Sequence, residues 1–310
     1  MQLVPRHPRA PADDPRVQKA VEDLLRAAGG FARTSTLLGA ISRQQLDGLV
    51  RRGELVRVWH GVYASAEPDY WGKLAALDTF IGRRAVACMG TAAKLYGFDT
   101  EGTTALHILD PGVRVRPTVG LMVHQRVGAP LRRTDGRLAT TPAWTAVEVA
   151  RTLSRPRALA TLDAALHSGT CSPAELDAAA HEQRGRRGIV AVRDLLTLAD
   201  ARAESPMESE ARLVMHDHGV PRPELQYVID GTDESWRVDF AWPEHLVAAE
   251  YESIDWHSGP AEMLRDRRRL AGIQHGGWTV VPIVVSDVRL HPARLAARLT
   301  DHLERAAIAC

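Results

Sequence analysis

The sequence predicts a mixed α/β protein, an α+β chain of several domains, and three observations predict it. Its 310 residues are about twice the usual single-domain length. Segments with the apolar spacing of a helix face alternate with short runs rich in Val, Ile, Tyr and Trp. The order of these segments also changes twice. It runs from helices followed by a hairpin, to helices enclosing short strands, to a helix, three strands, a helix and a strand. Domains are therefore expected over 1–66, 67–203 and 204–310.

Composition excludes several classes. With 45% hydrophobic and 25% charged residues the chain is too apolar for a disordered protein. Thirty-nine basic residues nearly balance 38 acidic ones, so the net charge of +1 supplies no global attraction to nucleic acid, and any such interface must be local. Cys88, Cys171 and Cys310 are odd in number and form no CxxC pair, which fits neither a disulfide framework nor a zinc ribbon. Met1 to Asp14 is rich in Pro, Arg and Asp and lacks the apolar centre of a signal peptide. No apolar stretch is long enough to span a bilayer, so a cytoplasmic protein without a membrane partner is expected.

The first domain reads as three helices and a hairpin. Val17, Ala20, Val21, Leu24 and Leu25 mark one helical face, stopped by Gly29-Gly30. Thr34 or Ser35 can cap a short second helix ending at Gly39. Ser42 can cap a third, Arg43 to Arg52, with Leu46, Leu49 and Val50 inward and Arg43, Gln44, Arg51 and Arg52 outward. Leu55 to Val58 and Val62 to Ala64 flank a turn at Trp59-His60-Gly61, forming a wing that carries Arg57. Such a winged helix can bind double-stranded DNA. Arg and Gln donate to guanine and adenine edges, and Arg57 can meet phosphate.

The stretches Ala40-Ile-Ser-Arg-Gln-Gln-Leu, Gly53-Glu-Leu-Val-Arg-Val and Gly61-Val-Tyr-Ala resemble the winged-helix head of AbiEi-type antitoxins. The likeness continues through Gly90-Thr-Ala-Ala-Lys-Leu-Tyr-Gly and Leu138-Ala-Thr-Thr-Pro-Ala-Trp-Thr-Ala. It implies promoter binding through the third helix and a cognate toxin partner. In the middle domain, helices are expected at Trp71 to Arg83 and Thr91 to Tyr96, strands at Ala105 to Leu109 and Leu121 to His124, and a run of helices from Pro142. His107 and His124 stand singly in apolar strands without ligand spacing, so they read as core or surface histidines.

The last domain opens with Ser205-Pro206-Met207-Glu208, a cap, a first-turn proline and a glutamate three residues after the cap. Strands are expected at Leu225 to Ile229, Trp236 to Trp242 and Leu246 to Glu252. A basic helix over Glu262 to Gln274, a strand over Trp278 to Val285 and a helix over Pro292 to Ala309 complete it. Asp239 and Glu250 interrupt apolar strands, where an unpartnered carboxylate is costly.

With Val238-Asp-Phe-Ala-Trp-Pro, Val247-Ala-Ala-Glu-Tyr-Glu, Trp256-His257 and Gly277-Trp-Thr-Val-Val, this order resembles the restriction-endonuclease-like α-βββ-α-β core of PD-(D/E)XK nucleases. The resemblance is strongest to the branch of the very-short-patch repair endonuclease. It implies a catalytic set of Glu208 (or Glu210), Asp239, Glu250, Glu252 and His257, with Asp239 and Glu250 holding Mg²⁺ or Mn²⁺ for phosphodiester hydrolysis. Side-chain alternation places Glu250 and Glu252 on one face of the strand, converging on one sheet edge. Glu252 stands where the family has lysine and this branch usually Asp, and Ser253 where glycine commonly follows. Two functions follow from the sequence: a Mg²⁺-dependent endodeoxyribonuclease delivered by a winged helix, and a non-enzymatic AbiEi-like antitoxin and autorepressor that keeps a degenerate nuclease fold.

Overall fold

A computed structural model of the chain describes residues 15–125, 128–231, 234–252 and 260–309. The protein is a mixed α/β chain with several small sheets. It forms two compact units, one holding the residues up to Thr91 together with Thr104–Thr140, the other Ala92–Thr103 together with the residues from Thr141 onward.

The first unit begins with helix α1 (Pro15–Ala27), strand β1 (Ala32–Arg33), helices α2 (Thr34–Leu38) and α3 (Arg43–Arg51), and strands β2 (Val56–Trp59) and β3 (Val62–Ala64). The antiparallel sheet β1-β3-β2 and three helices form a winged helix around Leu25, Leu37, Leu46, Leu49, Leu55 and Tyr63. Ser42 caps α3 as expected: its hydroxyl accepts from the Gln45 amide at 3.3 Å, and the Gln45 side chain accepts from the Ser42 amide at 2.8 Å. The expected Thr34 or Ser35 cap does not form. Helix α2 starts at Thr34, whose hydroxyl donates to the Gly61 carbonyl and so ties α2 to the wing turn.

Helix α4 (Tyr70–Ile81) follows, capped by Asp69, then α5 (Met89–Leu95), which crosses from one unit to the other. Strands β4 (Leu106–Leu109) and β5 (Leu121–His124) pair in parallel, and β6 (Leu131–Thr134) and β7 (Arg137–Thr140) form a hairpin. That hairpin is absent from the elements read off the sequence, although its Asp135-Gly136 turn is a strong hairpin signal. Both residues have positive φ, as a type I′ turn demands.

In the second unit, helices α6 (Pro142–Ala150), α7 (Arg155–His167), α8 (Pro173–Glu182) and α9 (Ile189–Leu196) precede the C-terminal sheet. Helix α10 (Pro206–Asp217) leads to strands β8 (Glu224–Asp230), β9 (Ser235–Trp242) and β10 (Val247–Tyr251), helix α11 (Pro260–His275) and strand β11 (Thr279–Ile283). Helices α12 (Val285–Arg289), not foreseen from the sequence, and α13 (Pro292–Ala309) close the chain. The sheet runs β11-β10-β9-β8, antiparallel except where β11 joins β10 in parallel. A helix must cover the crossover between those parallel strands, and α11 does. Phe240, Trp242, Val247, Ala249 and Ile283 pack with Leu295 and Leu299 of α13 on one face. Val238, Ala241 and Ala248 pack with Ile273 and Trp278 on the other.

Candidate nucleic-acid interface and acidic centre

The cap at Ser42 and the inward Leu46 and Leu49 fix the rotation of α3, leaving Arg43, Gln44, Asp47, Arg51 and Arg52 exposed. Not all of this charge is equally available. Arg43 lies 3.5 Å from Asp47 one turn along, and Arg52 pairs with Glu54, whereas Arg51 donates to the Asp47 carbonyl. On the wing, the exposed Arg57 sits over the Tyr63 ring and donates to its hydroxyl at 3.2 Å, which orders the guanidinium without neutralising it.

The acidic centre is built by sheet register. Strand β8 pairs Leu225 with Phe240 and Tyr227 with Val238, so Gln226 lies across from Asp239. Strand β10 pairs Ala249 with Phe240, which brings Glu250 to the other side of Asp239, and Glu250 itself pairs with Pro282 of the edge strand β11. Gln226, Asp239 and Glu250 thus form one cross-strand row. Adjacent like charges in such a row repel.

Each carboxylate is restrained differently. One Asp239 oxygen accepts from the Tyr251 amide at 2.9 Å, and the other faces the Gln226 amide at 3.4 Å. Burial, opposed by the Tyr251 hydrogen bond and reinforced by Glu208 and Glu250, pushes the Asp239 carboxyl up to about 6. Glu250 is taken at both oxygens by the Arg269 guanidinium, and that partnership holds Arg269 above its ordinary value. Gly272, one turn after Arg269, lets α11 lie close on the sheet, since a Cβ there would collide with the Trp236 ring.

Glu208 joins the row from α10. Ser205 caps that helix by accepting from the Glu208 amide, but the Glu208 carboxylate accepts from the Glu204 amide at 3.0 Å and from Gln226 at 2.9 Å. It therefore caps the chain and belongs to the acidic centre. Gln226 serves both acids from a left-handed backbone, φ +51°, a conformation that costs roughly 1–3 kcal/mol for a non-glycine residue and collects at functional or over-determined sites. No sequence signal marks this residue.

Glu210, the alternative helix glutamate, lies elsewhere. It is buried between Arg157 and Arg289, accepting from the first at 2.9 Å and from the second at 2.8 Å. Burial alone would raise its carboxyl, yet the hydrogen bonds from Arg289 and Arg157 hold it below the usual range.

Glu252, expected to converge with Glu250, lies one residue past β10 and is exposed; the acids that press on Asp239 are Glu208 and Glu250 instead. His257 lies outside the described residues. An arginine of the basic helix, Arg269, binds the row. Among the described residues, no group of three or more His, Cys, Asp or Glu side chains is arranged to hold a metal ion. Both Glu250 oxygens accept from Arg269, and one Asp239 oxygen accepts from the Tyr251 amide. His107 and His124 do interact: their rings stack at 5.1 Å and Nδ1 of the first lies 2.9 Å from Nε2 of the second.

Residues 85–198, beyond the wing, match the model of the AbiEi antitoxin C-terminal domain, and the match does not reach the sheet that holds Asp239. Across 270 residues it is 70% identical to "Uncharacterized protein MT2308" of Mycobacterium tuberculosis strain CDC 1551 / Oshkosh, covering 87% of this chain and 100% of that protein. "Uncharacterized protein Rv2248" of strain ATCC 25618 / H37Rv is matched with the same identity and coverage. The chain belongs to the family of these mycobacterial proteins. Among the described residues, no helix is long and apolar enough to cross a membrane.

Proposed function

We propose that the protein is a non-enzymatic, AbiEi-like DNA-binding regulator that represses its own promoter and receives a cognate toxin, with the C-terminal nuclease-like core retained as a scaffold. The AbiEi domain match supports the class, and the exposed cations of α3 and the wing support the DNA contact. Helix α3 enters the major groove with Arg43, Gln44 and Arg51 toward base edges, while Arg52 and Arg57 meet phosphates.

The observation that favours a scaffold over an endonuclease is the clasp of Arg269 on Glu250. It uses the oxygens that hydrolysis would assign to Mg²⁺ or Mn²⁺ and gives the row a counter-charge of its own. A mobility-shift assay with the DNA upstream of its own gene, run with Mg²⁺, Mn²⁺ or chelator, tests the proposal. A discrete complex with intact DNA in every lane is expected. Metal-dependent cleavage by the wild type that disappears in Asp239→Asn would overturn the scaffold reading.

A further inference from the structure

The first unit contains a groove of about 790 Å³ between the wing and the segment that leads into β5. Its volume lies within the range of small-molecule sites, roughly 300–1,000 Å³. Two kinds of surface meet in it. Trp59 and Phe80, both partly buried against the Leu74, Leu77 and Ile108 core, supply an aromatic wall. Arg57, Arg114 and Arg116 supply the charge, and no carboxylate is among the described residues that line it. The described residues offer Arg114 and Arg116 no ion-pair partner, and both are exposed. At the rim, Val119 is 98% exposed, an apolar side chain left in water where an apolar ligand would cover it.

An aromatic wall beside unpaired guanidinium groups is complementary to a planar ring that carries a dianion. Guanidinium forks match phosphate oxygens in pairs, and ring faces stack. We propose that this groove is an effector site for a free nucleotide-class ligand, with the base against Trp59 and Phe80 and the phosphate held by Arg114 and Arg116. The ligand also reaches Arg57, which sits on the wing. It therefore neutralises charge that the wing would otherwise offer to DNA, and binding of ligand weakens binding of DNA. This coupling rests on the winged helix being the DNA-binding element, but the site itself does not.

AMP is the probe, titrated calorimetrically into the full chain beside inorganic phosphate. The expected result is saturable binding of one AMP, at least tenfold tighter than phosphate because the ring contributes. Arg114→Ala/Arg116→Ala should weaken AMP at least tenfold while the circular dichroism and Tm stay unchanged, since both side chains are exposed. Saturating AMP should raise the DNA Kd severalfold in the wild type and leave it unmoved in that double variant. Arg43→Ala/Arg51→Ala, on α3, should lose DNA affinity and keep AMP, which separates failure of the DNA reading from failure of the site. No saturable AMP binding, or equal binding by the Arg114→Ala/Arg116→Ala variant, overturns the proposal. So does a result in which AMP fails to bind and the same variant loses DNA affinity, because the groove then holds the DNA strand. AMP binding that leaves DNA affinity unchanged overturns the coupling to the wing.

Discussion

Glu210 and Asp239 are both carboxylates removed from bulk water in the second unit, and their surroundings are opposite. Glu210 sits between two guanidinium groups that hold it below the usual carboxylate range, whereas Asp239 sits between two acids and an amide and is pushed up to about 6. One is part of what holds the unit together, and the other strains it. Burial of an acid is therefore no guide to its role until its partners are counted.

The largest effect is expected at Glu210. Replacing it by Gln leaves Arg157 and Arg289 without their shared carboxylate, and the expected loss is about 2–4 kcal/mol in urea unfolding, reduced from a fully buried pair because both arginines are partly exposed. The sign with pH follows from the lowered carboxyl. Its stabilisation is complete above the unfolded value, about 4.3, and is lost as pH falls through the folded one below it. Glu210→Gln should therefore flatten the acid limb of the stability curve. A loss under about 0.5 kcal/mol would place Glu210 with ordinary surface ion pairs.

Next in size is Gly272→Ala. The new Cβ meets the Trp236 ring, so α11 must move off the sheet at a cost of about 1–3 kcal/mol, in spite of the better helix propensity of alanine. A crystal structure or tryptophan fluorescence would register the shift. Unchanged stability and fluorescence would mean that the close approach does not position Arg269.

The smallest effect is expected at Asp239, and it has the opposite sign. A carboxyl raised in the folded state costs stability as pH climbs from about 4 through about 6, because the folded chain then holds the proton more tightly than the unfolded one. Asp239→Asn removes that cost, so stability at pH 7 should hold or rise by about 1–2 kcal/mol, with the gain vanishing near pH 4. Thermal unfolding across pH 4–8, with and without Mg²⁺ or Mn²⁺, checks it. A metal-independent loss of stability would show the carboxylate to be structural.

Much of the fold was legible because its elements are local. The helix-helix-helix-hairpin order, the Ser42 cap and the succession around β8 to β11 rest on periodicity and capping within a few residues. The sites were legible only where residue type interrupts a pattern, as Asp239 and Glu250 interrupt apolar strands. What stayed hidden depends on distance or on conformation. Arg157 and Arg289 reach Glu210 across 53 and 79 positions of sequence, and nothing in a run of letters marks Gln226 as left-handed. Arg269 was legible as one of four arginines of the basic helix, but singling it out requires the contact that Gly272 permits.

The salt dependence of DNA binding tests whether α3 and the wing are the DNA-binding element. Each phosphate contact contributes about 0.9 to the slope of log K against log salt. The variant Arg43→Ala/Arg51→Ala/Arg57→Ala, folded by circular dichroism, should bind promoter DNA more weakly than the wild type and with a slope flatter by about 1, the share of the Arg57 phosphate contact. Equal affinity and an equal slope in the two proteins would contradict the assignment of α3 and the wing as the DNA-binding element.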